Sequence, residues 1–363
     1  MMLIPVRVGL LQRVLPEYRA PFFNALGSAC PQGLGVFSGL PRPEEGIKVT
    51  LTLNQAHYVK GQNLHISHGK SYFCFQRGLI HWLRLWQPEV LIVEANARLL
   101  STSLAIQWMH KRHLPVIGWG LGAPNSGKTE SFLRNQFLNS FDAVIAYSHT
   151  GAEQYLKVGF DPEKVFVAAN AVSPKPPLNA PQRRVLSGDN RPTLLFVGRL
   201  QERKRVDKLL QACAMLPADC QPELVIIGDG PDRFRLEQFA HQTYPQAIFT
   251  GAKHGAELDP FFQKADLFVL PGTGGLAVQQ AMAHALAVIV GEADGTQGEL
   301  VRPENGWILP DSKVTTLTRT LADAFQNRKR LREMGFASYR IVSEEVNLES
   351  MVETFAKAIK SVV

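Results

Sequence analysis

The chain of 363 residues is 45% apolar and 20% charged, so it has enough apolar side chains for a sizeable core, and overall disorder is excluded. No apolar run approaches the ~20 residues of a membrane span. Arg7 and Arg13 interrupt the apolar start too early for a signal peptide. Four cysteines without CxxC spacing argue against a zinc site and fit a reducing compartment. The net charge of +7 lies mostly in residues 1–173, where 16 Lys and Arg outnumber 10 Asp and Glu, which indicates either an anionic partner or simply a basic surface.

Short apolar runs alternate with amphipathic stretches in the first half. After a strand near the N-terminus, the pattern predicts strands at 90–93, 116–117, 143–146 and 165–167, and helices at 99–111 and 131–138. A polar stretch that carries His57, His65 and His68 is predicted to be a loop on the acceptor side. Five prolines between Ser173 and Pro192 then break the alternation, so this segment is predicted to be a linker.

The alternation restarts after the linker, with strands predicted at 193–197, 224–227, 247–249, 267–270 and 287–290 and helices at 206–215, 277–285 and 348–362. We therefore expect an α/β protein of two doubly wound Rossmann-like domains that face each other across a cleft. The expected parts are an N-terminal domain (1–173), the linker (174–192), a C-terminal domain (193–345) and a last helical segment (346–363) that packs back on the N-terminal domain. Ligands of such sheets bind beyond the carboxyl ends of the strands, so the cleft is the expected site.

Glycines follow several strands of the second half where each strand ends. Gly198, Gly228 and Gly251 follow three of these strands, and the run 271–275 (PGTGG) leads from the fourth strand directly into a helix. The free amides of a helix start favour phosphate. Each feature alone also fits an ordinary turn, but together they predict a nucleotide site.

Four segments of the second half resemble, in order and spacing, the donor-binding half of retaining family-4 glycosyltransferases of GT-B fold, of the bacterial polysaccharide or glycoconjugate type. Within residues 193–310 these segments are VGRLQERKRVDKLLQA, IIGDGP, FTGAKHGAELDPFFQKADLFVLPG and GLAVQQAMAHALAVIV. Weaker matches continue upstream, so the resemblance covers nearly the whole chain. It implies a nucleoside-diphosphate sugar as substrate, no further cofactor and no metal.

The resemblance also implies roles for single residues on the donor side. Arg199 and Lys204 match the family's diphosphate-binding Arg and Lys, which makes them candidate catalytic groups that neutralise the departing phosphate. Residues 251–253 match the segment that contacts the base through its backbone. The remaining predicted donor-binding positions are Gly198, Gly228, Gly251, Lys253, Gly274, Gly275, Leu276 and Gln280.

The sequence departs from the family pattern at three positions. Two glutamates eight positions apart normally flank the glycine-rich loop, but here they are Gly272 and Gln280. The first normally faces the donor sugar, and the second bonds ribose hydroxyls, which Gln280 can still do without charge. Leu121 takes the place of a histidine near the transferred sugar. These departures indicate either a variant active site or a catalytically degenerate partner protein.

The first half carries the candidate acceptor side. The segment LPEYRAPFF resembles the acceptor-side loop of bacterial polysaccharide-type members, which implies that Arg13, Glu17, Tyr18 and Arg19 meet the acceptor. Glu94 follows a buried strand directly and is the candidate catalytic carboxylate that positions the acceptor; the alternative is that this segment caps the next helix through Asn96. Trp119 is either an acceptor-side stacking surface for a sugar ring or a core residue.

One motif points to another function. The segment 122–129 fits GxxxxGK[ST] between a strand and a helix, which is the context of a P-loop. Pro124 removes one amide of the phosphate cradle, and no apolar strand ending in Asp follows to hold Mg²⁺. A P-loop nucleotidase is therefore an alternative function. The other interpretation of this segment is a simple helix start at which Lys128 faces solvent.

The leading hypothesis is a retaining, metal-independent hexosyl- or related glycosyltransferase. It moves a sugar from a nucleoside diphosphate to a glycan or lipid-linked acceptor. We expect the basic first domain to make a peripheral contact with a membrane, and we expect no nucleic-acid partner. The expected location is the cytoplasm, at the inner face of the membrane.

Overall fold

The computed structural model describes residues 2–45, 47–67, 72–123, 134–177, 179–182, 191–274, 276–291 and 297–363. The chain divides into two compact units. The first unit comprises Met1–Pro174 and Leu348–Val363, and the second comprises Lys175–Asn347.

The first unit is built on a seven-stranded parallel sheet. Its strands are β1 (Val8–Val14), β2 (Leu34–Gly39), β3 (His57–Lys60), β6 (Val90–Glu94), β7 (Val116–Gly120), β8 (Ala143–Ala146) and β9 (Val165–Val167), in the order β3-β2-β1-β6-β7-β8-β9. An antiparallel hairpin, β4 (Gln62–Ile66) and β5 (Phe73–Arg77), forms a separate two-stranded sheet. The helices of this part are α1 (Ala20–Ser28), α2 (Leu79–Trp86), α3 (Leu100–His110) and α4 (His149–Lys157).

The second unit is built on a six-stranded parallel sheet of order β12-β11-β10-β13-β14-β15. Its strands are β10 (Thr193–Val197), β11 (Glu223–Ile227), β12 (Ile248–Phe249), β13 (Leu267–Leu270), β14 (Ala287–Gly291) and β15 (Gly306–Leu309). Its helices are α5 (Val206–Ala214), α6 (Arg233–Thr243), α7 (Asp259–Lys264), α8 (Leu276–Ala283), α9 (Gln297–Leu300), α10 (Val314–Gln326) and α11 (Arg328–Glu344). A final helix, α12 (Leu348–Lys360), belongs to the first unit.

Both sheets have a topological switch point. In the first sheet the chain runs outward from β1 to β3 and then continues with β6 on the other side of β1. In the second sheet it runs from β10 to β12 and then continues with β13 on the other side of β10. Open α/β sheets bind ligands in the crevice at such points, beyond the carboxyl ends of the strands. The predicted α/β class with two doubly wound Rossmann-like units is confirmed.

Helix α12 completes the core of the first unit. The Phe355 ring lies 4.9 Å from that of Phe22 on α1 and 5.0 Å from that of Trp119 on β7, measured between centroids. All three side chains are at most 1% exposed. Phe22 therefore serves to pack helix α1, and the last helix covers an apolar surface that the other elements of this unit leave open.

The predicted loop around His57 and His65 is wrong, because this stretch forms β3, β4 and β5. The residues of β4 alternate between exposed and half-buried, and β3 is exposed at both ends and half-buried in the middle, so these strands lack the apolar runs that identified the buried ones. His68 lies outside the described residues, as do residues 131–133 of a predicted helix whose residues 134–138 are helical. Within the described ranges, no helix is long and apolar enough to cross a bilayer.

Candidate functional site

A buried lysine lies at the switch point of the second unit. The chain leaves β10 through Gly198 and forms a short 3-10 turn, Glu202–Lys204. The Lys204 side chain is 9% exposed, and its Nζ donates to the Thr273 carbonyl oxygen at 2.5 Å. The Arg203 guanidinium donates to Thr273 Oγ1 at 2.9 Å, and the Thr273 amide donates to the Arg203 carbonyl at 3.1 Å. The loop after β13 is thus tied to the turn after β10.

Two glycines make this tie possible. A Cβ at Gly272 would lie 2.1 Å from the Arg203 carbonyl oxygen and 2.6 Å from the Lys204 Cα. Gly274 has φ +128°, and a Cβ there would lie 2.3 Å from the Lys204 Nζ. In this backbone position 272 has no room for a side chain, so the missing glutamate is a consequence of tight packing in the loop.

Burial controls the acidity of the Lys204 amine. Desolvation, helped by the neighbouring positive charge of Arg203, lowers the pKa of Lys204 to about 8. An anion bound beside the amine would raise this pKa again, because it stabilises the protonated form. The amine is therefore a cationic group whose charge depends on pH just above neutrality.

This acidity predicts a pH dependence of nucleotide binding. Below about pH 8 Lys204 is protonated in both the free and the bound protein, so the affinity for a nucleoside diphosphate is expected to be constant. Above that pH the free amine loses its proton while the bound amine keeps it, so the affinity falls by up to about tenfold per pH unit. Calorimetry from about pH 7 to about pH 9.5 tests this, with Lys204→Met as the control that removes the titrating group. An equal decline in Lys204→Met would assign the titration to another group.

The other glycine-bearing strand ends of this unit lie against one another. Gly228 has φ +151°, and a Cβ there would lie 1.9 Å from the Gly198 carbonyl oxygen. The Gly228 amide donates to the Gly251 carbonyl at 2.9 Å. The predicted donor residues Gly198, Gly228 and Gly251 are thus brought together at one edge of the sheet. Arg199 is exposed at the same edge, and Lys253 lies 3.9 Å from the Glu257 carboxylate.

Gln279 and Gln280 have different surroundings on helix α8. Gln279 is fully buried, and its Nε2 donates to the Val346 carbonyl at 2.6 Å. Gln280 is partly exposed, and its side-chain amide has no hydrogen bond within the described part of the chain. Only Gln280 is available to contact a ribose.

Substitution of these two residues is expected to separate affinity from stability. Gln280→Leu should weaken nucleoside-diphosphate binding by about 1 kcal/mol, the usual net contribution of a neutral hydrogen bond. Gln279→Leu should leave that affinity unchanged and destabilise the fold by about 1–3 kcal/mol, because the Val346 carbonyl loses its donor. Calorimetric titration and thermal unfolding of both variants test this. A larger loss of affinity in Gln279→Leu would contradict the assignment.

Sequence reasoning missed two contributors to this loop. Thr273 accepts hydrogen bonds from both Arg203 and Lys204. Gln297, at the start of α9, is 4% exposed and donates from Nε2 to the Gly274 carbonyl at 3.2 Å. Its Oε1 is buried and has no hydrogen-bond partner within the described ranges. Thr273 lies within the predicted glycine-rich run 271–275, but that run gave it no role of its own, and Gln297 belongs to no charged or glycine motif. Gly275 lies outside the described residues, as does the P-loop-like segment beyond Ala123 with Lys128.

In the first unit, Glu94 lies at the switch point. Its Oε1 accepts the backbone N–H of Arg13 at 2.6 Å and so joins the carboxyl ends of β6 and β1. Burial raises the pKa of Glu94, although this bond and the charges of Arg13 and Arg19 oppose the rise. The residue is half-buried, and within the described residues its other carboxylate oxygen forms no hydrogen bond. Asn96 does not cap α3, since Leu99 is the N-cap residue; Asn96 instead accepts from the Arg98 amide at 3.1 Å.

Arg13 is held in a polar cluster that the sequence did not reveal. Its NH1 lies 3.0 Å from Glu45 Oε2 and 3.4 Å from the Tyr72 hydroxyl, which lies 2.9 Å from His65 Nδ1. The Arg42 guanidinium lies over the Tyr72 ring at 4.8 Å. Burial alone would lower the pKa of Arg13, but the hydrogen bonds and charges of Glu45 and Tyr72 together outweigh it and raise that pKa. The cluster forms because the unpredicted hairpin β4–β5 carries His65 next to the end of β1.

Arg19 and Trp119 are buried, which differs from their predicted place on the acceptor side. Trp119 is 1% exposed and packs in the core, so it offers no face to a sugar ring. Arg19 is 9% exposed; its guanidinium lies 4.5 Å from the Trp119 ring, and its NH2 donates to the Tyr147 hydroxyl at 3.1 Å. Arg19 therefore stabilises the segment LPEYRAPFF from a buried position, where its guanidinium cation lies over the aromatic ring of Trp119.

The remaining acceptor-side candidates are at the surface. Tyr18 is 44% exposed, and Glu17 forms an exposed ion pair with Lys48 at 2.8 Å. Leu121 is 54% exposed beyond the end of β7. Among the residues that the structure describes, no group of three or more His, Cys, Asp or Glu side chains is arranged to hold a metal ion.

Comparison with known proteins agrees with this geometry. Residues 181–340 match the family described as glycosyl transferases group 1. The chain is 39% identical over 236 residues to a GDP-mannose-dependent alpha-mannosyltransferase of Mycobacterium tuberculosis, which covers 62% of this chain and 55% of that protein. It is 41% identical over 132 residues to a GDP-mannose-dependent alpha-mannosyltransferase of Mycolicibacterium smegmatis, which covers 36% of this chain and 33% of that protein. The matched part thus spans about half or less of these relatives.

Among solved structures, sucrose-phosphate synthase from Thermosynechococcus elongatus has the same fold. The TM-score is 0.70 at 16% identity, with 98% of this chain and 99% of that chain covered. At this identity the likeness shows the fold alone. Together with the group 1 match and the mannosyltransferase relatives, it shows that this chain has the GT-B fold, resembles family-4 glycosyltransferases and carries a glycosyl transferases group 1 domain in residues 181–340.

Proposed function

We propose that this protein is a glycosyltransferase that moves a hexosyl group from a nucleoside-diphosphate sugar to a glycan or lipid-linked acceptor. The observation that carries the proposal is the buried Lys204 amine, held against the glycine-rich loop at the switch point of a group 1 domain. GDP-mannose is the proposed donor, because the mannosyltransferases that match this chain are named for it. Attachment of the basic first unit to a membrane surface is part of the proposal.

The proposed chemistry places positive charge where the departing diphosphate gains negative charge. The Lys204 ammonium group and the start of helix α8 supply this charge from a partly buried position, and Arg199 adds an exposed guanidinium. The bond from the sugar C1 to the phosphate oxygen breaks and the bond from C1 to the acceptor oxygen forms. The departing phosphate takes the acceptor proton. The reaction then retains the configuration at C1 and needs no metal.

Glu94 is the proposed positioning carboxylate of the acceptor side. One of its oxygens is fixed by the Arg13 amide, so the side chain has a defined orientation at the end of β6. The other oxygen is proposed to accept a hydrogen bond from an acceptor hydroxyl. The raised pKa of Glu94 is consistent with a carboxylate that gains from such a partner.

A panel of nucleotide sugars tests the proposal. A ligand at about a hundred times its dissociation constant stabilises the native state by ~2.7 kcal/mol, so GDP-mannose should raise the melting temperature clearly more than UDP-sugars do. Transfer assays with EDTA then test metal independence, and NMR of the product tests retention. Binding without turnover would favour a degenerate partner protein. Loss of nucleotide binding in Lys128→Ala would favour the P-loop alternative.

A further inference from the structure

A cavity of about 740 Å³ opens in the first unit, lined by residues of helix α2 and of the edge strand β3. Its size is in the range of small-molecule sites. The apolar part of the lining consists of Phe37, Val59, Trp82 and Trp86. At its margin Leu85 is 72% exposed, which is unusual for so large an aliphatic side chain.

The charged part of the lining is entirely basic. Lys60 and Arg77 are exposed there, together with His57 and His81, and no carboxylate is among the lining residues. Within the described part of the chain, neither Lys60 nor Arg77 forms an ion pair. Cations that share a concave surface without a counter-ion attract an anion.

An apolar surface continues from the basic margin of the cavity. A second cavity of about 310 Å³ shares Arg77, Gly78 and His81 with the first and is lined by Phe75 and Leu104, among others. Beside it, the cross-strand register aligns Leu64 with Phe75 and Ile66 with Phe73 on one face of the hairpin. Leu64, Ile66 and Phe73 are 38%, 48% and 39% exposed. Basic and apolar groups thus form one continuous surface.

This surface adjoins the candidate acceptor side. The pair Gln62–Arg77 is next in register to the pair Asn63–Gln76. The Asn63 amide donates to the Arg13 carbonyl at 2.8 Å, and the Gln76 amide donates to the Gln12 carbonyl at 3.1 Å. The hairpin therefore places Arg77 near the carboxyl end of β1, the same end that Glu94 contacts through the Arg13 amide.

We propose that the cavity binds a single lipid with a phosphate head group and a long prenyl or acyl chain. Lys60 and Arg77 hold the phosphate, and the chain lies over the half-buried Val59 and Trp86 and the exposed Leu85. A free phosphate would use only the cations and leave Leu85, which is 72% exposed, in contact with water, so the lipid is the better match. The inference goes beyond the proposed transfer reaction, because such binding needs no sugar donor.

Farnesyl monophosphate is the probe, with farnesol and inorganic phosphate compared by calorimetry on the intact chain. Saturable binding of farnesyl monophosphate is expected. Farnesol and inorganic phosphate should each bind at least about tenfold more weakly. Equal affinity for inorganic phosphate would overturn the proposal in favour of a free phosphate site. Equal affinity for farnesol would overturn it in favour of a purely apolar pocket.

The double variant Lys60→Gln/Arg77→Gln should weaken farnesyl monophosphate binding about tenfold or more. Arg84→Gln/Lys111→Gln removes the same charge from exposed positions that do not line either cavity, and it should bind as the unmodified chain does. Equal losses in both double variants would overturn the site in favour of nonspecific charge attraction. The shift in melting temperature with GDP-mannose, measured on the same samples, should not change. It shows that the variants are folded and separates failure of this site from failure of the proposed donor.

Discussion

Lys204→Met is expected to weaken GDP binding by about 1.5–3 kcal/mol, which is roughly 10- to 150-fold in the dissociation constant. The reason is the loss of charge-assisted hydrogen bonds from a buried amine to the diphosphate. The substitution keeps an unbranched apolar stem of similar length and removes an ammonium group that burial disfavours. Thr273 is half-buried and its carbonyl loses the hydrogen bond from Lys204, but this loss is offset by the removal of a buried charge, so the fold is expected to stay nearly as stable and a loss of affinity reports on the site itself. Calorimetry with GDP at neutral pH measures the effect.

Lys208→Met is the matched control for this prediction. Lys208 lies four positions further along the chain, on α5, and its Nζ donates to the Ser312 carbonyl at 2.6 Å rather than to the glycine-rich loop. This control should bind GDP with unchanged affinity. If Lys204→Met also binds normally while folded, Lys204 does not contact the diphosphate and the proposed donor site is misplaced. Arg199→Gln should reduce affinity in the same direction, because Arg199 is exposed at the same sheet edge.

The central strands were predictable because each is a run of apolar residues buried on both faces. Val90–Glu94 and Leu267–Leu270 are examples whose bounds follow almost directly from the sequence. Glu94 and the run 271–274 directly follow such strands, so the strand pattern placed both at carboxyl ends, while the glycines and the family resemblance were needed to predict the nucleotide site. The hairpin β4–β5 escaped prediction because its residues alternate in exposure and carry no apolar run.

Side-chain environments were less predictable than strand positions. Trp119 and Arg19 were both assigned to the acceptor surface, yet they pair with each other in the interior. A tryptophan at a strand end and an arginine in a loop have the same local sequence whether they face solvent or the core. The difference arises from Phe355, more than two hundred positions away, which packs on Trp119. Such long-range packing leaves no local pattern.

Position 272 gives the sharpest test of how this loop departs from its family. Gly272→Glu restores the residue type expected at that position. In this backbone, however, its Cβ would lie 2.1 Å from the Arg203 carbonyl oxygen. The backbone of Arg203 and Lys204 would have to move, so we expect a destabilisation of about 1–3 kcal/mol, as for an overpacked site, and a loss of GDP affinity. Thermal unfolding and calorimetry measure the two effects.

Gly298→Glu is the matched control, since a Cβ at Gly298 meets no atom of the described residues within 4 Å. It introduces the same charge into the same unit and should leave both unfolding and GDP binding nearly unchanged. A Gly272→Glu variant that melts like the unmodified chain and binds donor more tightly would show that the loop opens to receive an acidic side chain. In that case the glycine at position 272 would reflect a lost donor-site function, and the packing of the loop would not require it. The expected result is the opposite, because the displaced backbone is the one that fixes the Lys204 amine against Thr273.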